Sequence, residues 1–151
     1  MATTSTHIAA TPDQVWAVLA DPWSYATWVV GTVKIRDADA TWPAVGSKLH
    51  HAVGAWPLLI QDDSEVVECE PSHRLVMQAR GWPAGEARVE LVLHAEGDVT
   101  RVGMAEEPTH GPGAWVHNPV LDMVLTRRMD ECLDRLRRLV EGRQVSGPGR
   151  A

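Results

Sequence analysis

Four side chains along the chain could move protons at a reacting centre. They are one tyrosine, two histidines and one glutamate: Tyr25, His51, Glu106 and His117. Histidine changes its charge near neutral pH, and a carboxyl or phenol enclosed in an apolar cavity can act as a general acid or base. If the fold brings these groups to one cavity, they predict acid–base catalysis. The competing interpretation is that each of them is an ordinary surface or packing residue.

One of these histidines lies in a loop that has the composition of a lid. The segment 108–117 also contains His110 and the tripeptide 111–113, Gly-Pro-Gly, just before the predicted helix cap Asn118. Such a loop could close over a site, and an ordinary connection is the alternative. No carboxylate stands at a fixed spacing to orient either histidine.

The sequence predicts no metal site and no cofactor. His50 and His51 are adjacent on a predicted strand, so their rings point to opposite faces and cannot chelate one ion together. Asp62 and Asp63 alternate in the same way. No GxSxG, Walker, GxGxxG or HExxH pattern is present, which removes the commoner hydrolase and nucleotide-binding classes.

A set of apolar side chains is predicted to bind a small hydrophobic ligand. Tyr25 and Trp28 are three residues apart on a short helix and can touch, whereas Trp23 is expected to pack. Trp56 and Trp115 fall in connections, where exposed aromatic residues suggest a gate. The full predicted ligand-binding set is Trp28, Trp56, Met77, Leu91, Met104, Trp115, Val120 and Val124.

These residues are distributed over a strand, two short helices, six strands and one long helix. A first strand is predicted over 4–10, a helix over 11–21 with Thr11 as its cap, and a second helix over 22–29. Period-two alternation then predicts strands at 29–39, 47–54, 58–71, 73–82, 86–97 and 99–107. Which residues of 58–71 face the core is ambiguous, and a bulge would reconcile its apolar positions.

The last predicted helix begins at the cap Asn118 and ends at Gly142. Its apolar stripe must lie on the dry face of a curved antiparallel sheet, which gives an α+β architecture. One helix cannot fill the concave side of seven strands. The sequence therefore predicts an internal cavity.

Length and charge restrict the class of protein. The chain has 151 residues, enough for one domain, here predicted over 1–142 with a flexible tail over 143–151. The net charge of −6 and the absence of a basic cluster argue against nucleic-acid binding. No apolar run spans a membrane, no leader peptide is recognised and the two cysteines are isolated, so we expect a cytoplasmic protein with packed thiols.

Several segments resemble one superfamily. They are IAATPDQVWAVLADP at 8–22, ECEPSHRL at 68–75, GPG at 111–113 and LRRL at 136–139. With the element order, the chain resembles the START-related helix-grip superfamily (SRPBCC), in particular its polyketide cyclase/dehydrase-like members, over about residues 4–141. The resemblance implies a helix-grip fold in which a seven-stranded sheet wraps the C-terminal helix.

Three functions remain open at this point, because one fold can serve several. The first is non-covalent binding of a hydrophobic molecule. The second, implied by the resemblance, is a cyclase or dehydrase in which Tyr25, His51, Glu106 and His117 supply acid and base groups. The third is a protein-interaction module with a collapsed cavity. A homodimer is compatible with all three.

Overall fold

The computed structural model describes residues 2–55, 58–81, 85–111 and 119–145. Its elements follow the predicted order. The strands are β1 (Ala2–Ile8), β2 (Thr32–Ala38), β3 (Lys48–Ala55), β4 (Leu58–Glu70), β5 (Arg74–Gly81), β6 (Gly85–Glu96) and β7 (Val99–His110). The helices are α1 (Pro12–Leu19), α2 (Tyr25–Trp28), which follows a 3₁₀ turn at Pro22–Ser24, and α3 (Pro119–Val145).

The seven strands form one antiparallel sheet in the order β1-β7-β6-β5-β4-β3-β2. From β2 to β7 each strand pairs with the next, and β1 pairs with the outer edge of β7. The predicted irregularity in β4 is present, because its register against β5 shifts between Val66 and Glu68. The helices are segregated from this sheet. The predicted α+β helix-grip fold is therefore confirmed.

The start of α1 is fixed by its first turn. The Thr11 hydroxyl accepts a hydrogen bond from the Gln14 amide at 3.2 Å, and the Thr11 amide donates to the Gln14 side chain at 2.9 Å. This reciprocal capping box satisfies two amides that a helix start would otherwise leave unpaired. The helix then buries Val15, Val18 and Leu19 against the core.

The long helix α3 supplies the largest part of the core opposite the sheet. Its C-terminal two thirds bury one face, formed by Met129, Cys132, Leu133, Leu136 and Val140. This face repeats at intervals of three and four residues, which keeps it directed at the sheet along the helix. The predicted cap Asn118 lies outside the described residues.

The prediction that Gly142 ends this helix was wrong. The helix continues to Val145, and the remaining residues 146–151 lie outside the described part. A glycine inside a helix costs only about 1 kcal/mol relative to alanine, so neighbouring contacts can outweigh it. The Arg143 guanidinium lies 3.2 Å from the Asp21 carboxylate, and the Gln144 side chain donates to the Val140 carbonyl at 3.2 Å. Both contacts hold the last turn.

The interior has a packed end and a hollow end. Leu75 on β5, Leu91 on β6 and Val102 on β7 are fully buried, in the same core cluster as the C-terminal apolar residues of α3. Further along the same strands, smaller or less enclosed side chains face the N-terminal part of α3. A cavity opens there. No helix within the described ranges is long and apolar enough to span a membrane.

Candidate functional site

The hollow end of the interior forms a cavity of about 360 Å³. Its floor is the concave face of the central strands β5, β6 and β7. The floor residues are Met77, Ala79, Ala87, Val89 and Met104. They face the cavity because they occupy alternating positions on strands whose other side faces water. The floor is therefore mainly apolar, and the carboxylates that these strands add to the cavity are Glu86 and Glu106.

Two aromatic rings of α2 form one wall. Tyr25 and Trp28 are almost fully buried, and their ring centroids are 4.8 Å apart. The Tyr25 hydroxyl donates to the Leu19 carbonyl at 2.7 Å, and the Trp28 indole N–H donates to the Ser24 hydroxyl at 3.3 Å. Their polar atoms are thus bonded within the protein. The rings are part of the cavity wall, whereas Trp23, expected to pack, is exposed.

The contacts of Tyr25 indicate that its role is structural. Burial strongly raises the pKa of its hydroxyl, which therefore stays protonated at ordinary pH. The indole N–H of Trp42 donates to the same Leu19 carbonyl at 3.2 Å, and the rings of Tyr25 and Trp42 meet edge to face. Tyr25 consequently ties α2 to the end of α1.

A polar wall lies on β3 and β4. His51 and Asp62 are direct partners across these strands, and Ser64 is the next residue on the same face of β4. The His51 Nε2 and the Ser64 hydroxyl are hydrogen bonded at 3.2 Å. Within the part of the chain that the structure describes, the other ring nitrogen of His51, Nδ1, is buried and has no hydrogen-bond partner. An imidazole held by one nitrogen can bind a ligand with the other.

The histidine doublet behaves as the sequence predicts. His51 faces the cavity, whereas the Nδ1 of its neighbour His50 lies 2.6 Å from the Asp63 carboxylate. Asp62 and Asp63 alternate in the same way, because only Asp62 lines the cavity. No group of three His, Cys, Asp or Glu side chains in the described ranges could hold a metal ion.

The pKa values of the two facing groups shift in opposite directions. Burial lowers the pKa of His51 to about 4, and the nearby Arg36 and Arg128 also lower it, against the opposing effect of Asp63. Burial raises the pKa of Asp62 to about 6, although the Asp63 amide donates to its carboxylate at 2.7 Å. Desolvation disfavours the charged form of each group. At neutral pH the imidazole is therefore uncharged.

The opposite side of the cavity carries an ion pair. The Arg128 guanidinium on α3 donates to the Glu106 carboxylate on β7 at 3.0 Å and to the Val30 carbonyl at 3.2 Å. Glu106 is 9% exposed, so its charge is largely removed from water and needs this partner. Arg128 thereby connects α3 with β7 and with the turn after α2.

The structure brings together six of the residues that the sequence singled out. Lining the cavity are Tyr25, Trp28, His51, Met77, Met104 and Glu106. Leu91 lies two residues beyond Val89 on β6, in the packed core. Val120 and Val124 are more than half exposed and do not line the cavity. Around the helix axis, Val124 and Val120 lie about 100° and 140° from Leu125, which does line the cavity.

Three predicted positions fall outside the described residues. They are Trp56, Trp115 and His117. The other histidine of the predicted lid, His110, ends β7, and its ring is largely exposed.

The sequence analysis did not place the polar residues Asp62, Ser64 and Arg128 in the site. Asp62 and Ser64 lie on β4, whose register depended on where its bulge fell. Arg128 did leave a signal, because it stands three residues after Leu125 and four before Cys132. A cation at that spacing shares the buried face of the helix.

The family of the chain is shown by comparison with known proteins. The model of the family described as polyketide cyclase/dehydrase and lipid transport matches residues 2–141. No curated protein matches the chain in sequence.

Solved structures share the fold at low sequence identity. A protein from Rhodobacter sphaeroides has 23% identity and a TM-score of 0.72, over 93% of this chain and 91% of the other. CalU16 from Micromonospora echinospora has 18% identity and a TM-score of 0.64, over 95% and 78%. The Aha1 dimer from Colwellia psychrerythraea has 15% identity and a TM-score of 0.67, over 93% and 95%. Because the family model spans nearly the whole chain, the protein belongs to the polyketide cyclase/dehydrase and lipid transport family.

Proposed function

We propose that the protein binds a small, mainly apolar molecule in the cavity between its sheet and α3. The observation that carries this proposal is the cavity itself, about 360 Å³ with an apolar floor and a few polar groups on its walls. Small-molecule sites generally have this composition. The volume is near the lower end of the range for such sites, which favours a compact ligand.

The size of the cavity also limits the class of ligand. At the volume of liquid water, about 30 Å³ per molecule, it corresponds to roughly a dozen waters. A molecule of one or a few rings, or a short chain, fits within that space. A lipid with two long chains does not fit in the described cavity. Affinity would come mainly from burial of apolar surface, less the cost of ordering the ligand.

The first test is native mass spectrometry of the protein purified from its own host, followed by solvent extraction. We expect a defined hydrophobic compound to leave with the protein. The same spectrum reports whether the protein is a monomer or the homodimer that the sequence leaves open.

A pair of substitutions makes this test specific to the cavity. Ala79→Phe fills the floor, whereas Ala95→Phe places the same ring on an exposed site of β6. We expect the first to weaken binding of the extracted compound about tenfold or more, which corresponds to about 1.4 kcal/mol, and the second to leave it unchanged. Equal binding by both variants in equilibrium dialysis would place the ligand elsewhere.

A second candidate function is acid–base catalysis of the cyclase or dehydrase type. It is favoured by one observation, the neutral imidazole of His51 directly across from Asp62, whose carboxyl has a pKa of about 6. Such a pair could accept a proton from a carbon acid next to a ketone and return one to the departing oxygen. This would promote closure of a poly-β-ketone chain and loss of water.

This alternative predicts a large effect of two substitutions on turnover. With a short poly-β-ketone analogue, we expect His51→Gln and Asp62→Asn each to lower kcat by about 10²-fold or more. His50→Gln, on the outer face, is the matched control. A protein that binds the analogue without converting it supports the binding function alone. An interaction module with a collapsed interior receives less support, since it has no need of this cavity.

A further inference from the structure

The unpartnered nitrogen of His51 indicates where a ligand's polar group would bind. His51 is 7% exposed, and its ring is held through Nε2 by Ser64 at 3.2 Å. Its Nδ1 is buried without a partner among the described residues, although the ring lines the cavity. Buried polar atoms in proteins are almost always hydrogen bonded. Because Nδ1 itself has almost no accessible surface, a ligand group can complete this one only if the ring turns slightly towards the cavity.

The chemistry of that group follows from the imidazole. The uncharged ring carries a proton on one nitrogen, and the Ser64 hydroxyl can either donate to Nε2 or accept from it. Nδ1 is therefore an acceptor or a donor, according to the tautomer. A hydroxyl group can complement both forms, whereas a carbonyl complements only one. The Asp62 carboxylate, directly opposite His51 on β4, can in addition accept a hydrogen bond from such a hydroxyl.

The charges around the cavity argue against an anionic ligand. Arg128 is the one cation among the described lining residues, and it is already bonded to Glu106 and to the Val30 carbonyl. Glu86, another carboxylate of the lining, accepts a hydrogen bond from the Gln78 side chain at 3.0 Å. Asp62 adds a negative charge beside His51. The two cations near His51, Arg36 and Arg128, are already paired with Asp63 and Glu106, so a carboxylate or phosphate placed there would lose its water without gaining an unpaired cation.

We propose that His51, Ser64 and Asp62 form a subsite for a hydroxyl group of an uncharged ligand, an inference that rests on the proposed function. The ring or chain of the ligand lies on the apolar floor, and its hydroxyl points to the β3–β4 wall. The subsite thus selects for alcohols and phenols over hydrocarbons and over carboxylic acids of the same size.

Three compact probes test this selection by equilibrium dialysis at neutral pH: naphthalene, 2-naphthol and 2-naphthoate. They share a ring system and differ in one group. We expect 2-naphthol to bind about tenfold more tightly than naphthalene and at least about tenfold more tightly than 2-naphthoate. His51→Leu should remove the preference for 2-naphthol while naphthalene affinity stays within about twofold. His50→Leu, on the outer face, should keep the preference.

The outcomes separate this inference from the proposed function. Tightest binding of 2-naphthoate, or equal binding of 2-naphthol and naphthalene to the unmodified protein, would overturn the subsite and leave the binding function intact. Failure of all three probes to bind, together with an empty protein on solvent extraction, would overturn both. Because the probe comparison uses the unmodified protein, it does not depend on the folding of any variant. Ser64→Ala, which frees the imidazole, should reduce the preference for 2-naphthol.

Discussion

The cavity wall places two titratable groups in the same desolvating environment, and they respond in opposite ways. His51 loses its charge more easily than in water, and Asp62 holds its proton more strongly. At neutral pH His51 is therefore uncharged, whereas Asp62, with a pKa of about 6, is mostly ionised. The other charged lining residues, Glu86, Glu106 and Arg128, have partners within the protein, so the cavity can still accept an apolar molecule.

The buried imidazole should make stability depend on pH. The pKa of His51 in the folded protein, about 4, lies below its unfolded value of 6.5. Its contribution is thus present above pH 6.5 and is lost as the pH falls towards 4, because unfolding then releases the ring to take up a proton. From pH 7 to pH 5 this loss amounts to about 2 kcal/mol.

Urea unfolding of the wild type and of His51→Gln at both pH values measures this contribution. Asp62 acts in the opposite direction in part of the same range, since its pKa is raised and its protonation stabilises the folded protein. The informative quantity is therefore the difference between the two proteins. We expect His51→Gln to gain about 2 kcal/mol relative to wild type between pH 7 and pH 5. A constant difference would show that the ring is not buried in a neutral form.

At the scale of elements, the Arg128 side chain joins three parts of the fold around the cavity. It reaches Glu106 on β7 and the Val30 carbonyl after α2. We expect Arg128→Met to lower the free energy of unfolding by about 2 kcal/mol, less than for a fully buried pair because the guanidinium is one third exposed. Most of this cost arises from leaving Glu106 without a cation.

A double-mutant cycle separates that cost from lost packing. In the Arg128→Met/Glu106→Gln protein no carboxylate remains to be compensated, so the double variant should lose less than the sum of the two single variants. A coupling of about 1 kcal/mol or more in urea unfolding is the expected result. Additivity within about 0.4 kcal/mol would contradict a coupled pair.

The C-terminal end of α3, which the sequence analysis placed too early at Gly142, can be tested by substitution. Gly142 is helical, and a Cβ added there would meet no atom within 4 Å. Gly142→Ala should therefore raise the free energy of unfolding, by at most about 1 kcal/mol. Gly46 has a φ of +88°, which side chains rarely adopt, so Gly46→Ala should lower it. A loss of stability on Gly142→Ala would instead indicate that the helix ends at Gly142, as the sequence analysis predicts.

The elements themselves were predictable because each has a local cause. Thr11 caps α1, alternation marks every strand of the meander, and the stripe from Met129 to Val140 defines α3. The polar wall was not predictable in the same way. Which residues of β4 face inwards depends on the position of its bulge near Val66, and that position is set by pairing with β5 rather than by the β4 sequence.

At the scale of the whole molecule, the interior is divided between a packed end and a hollow end. The same apolar alternation runs through both, so Leu91 and Val89 on β6 look equivalent in the sequence. One is fully buried in the core and the other lines the cavity. The difference arises because α3 fills the concave side of the sheet only along its C-terminal part. Binding and stability should therefore depend on different residues.

One helix allows this division to be tested with a single kind of substitution. Leu133 is almost fully buried at the packed end of α3, whereas Leu125, eight residues earlier, is half-buried and lines the cavity. Leu133→Ala should lower the free energy of unfolding by about 3 kcal/mol, since it opens a void among close-packed neighbours. Leu125→Ala should cost about 1 kcal/mol, because it enlarges a space that already exists, and both changes have the same helix propensity.

In equilibrium dialysis with 2-naphthol the order should reverse, with Leu125→Ala changing the affinity and Leu133→Ala leaving it unaltered at temperatures where it is folded. Equal losses of stability in urea would mean that the cavity is closed in solution and that the interior is packed from end to end.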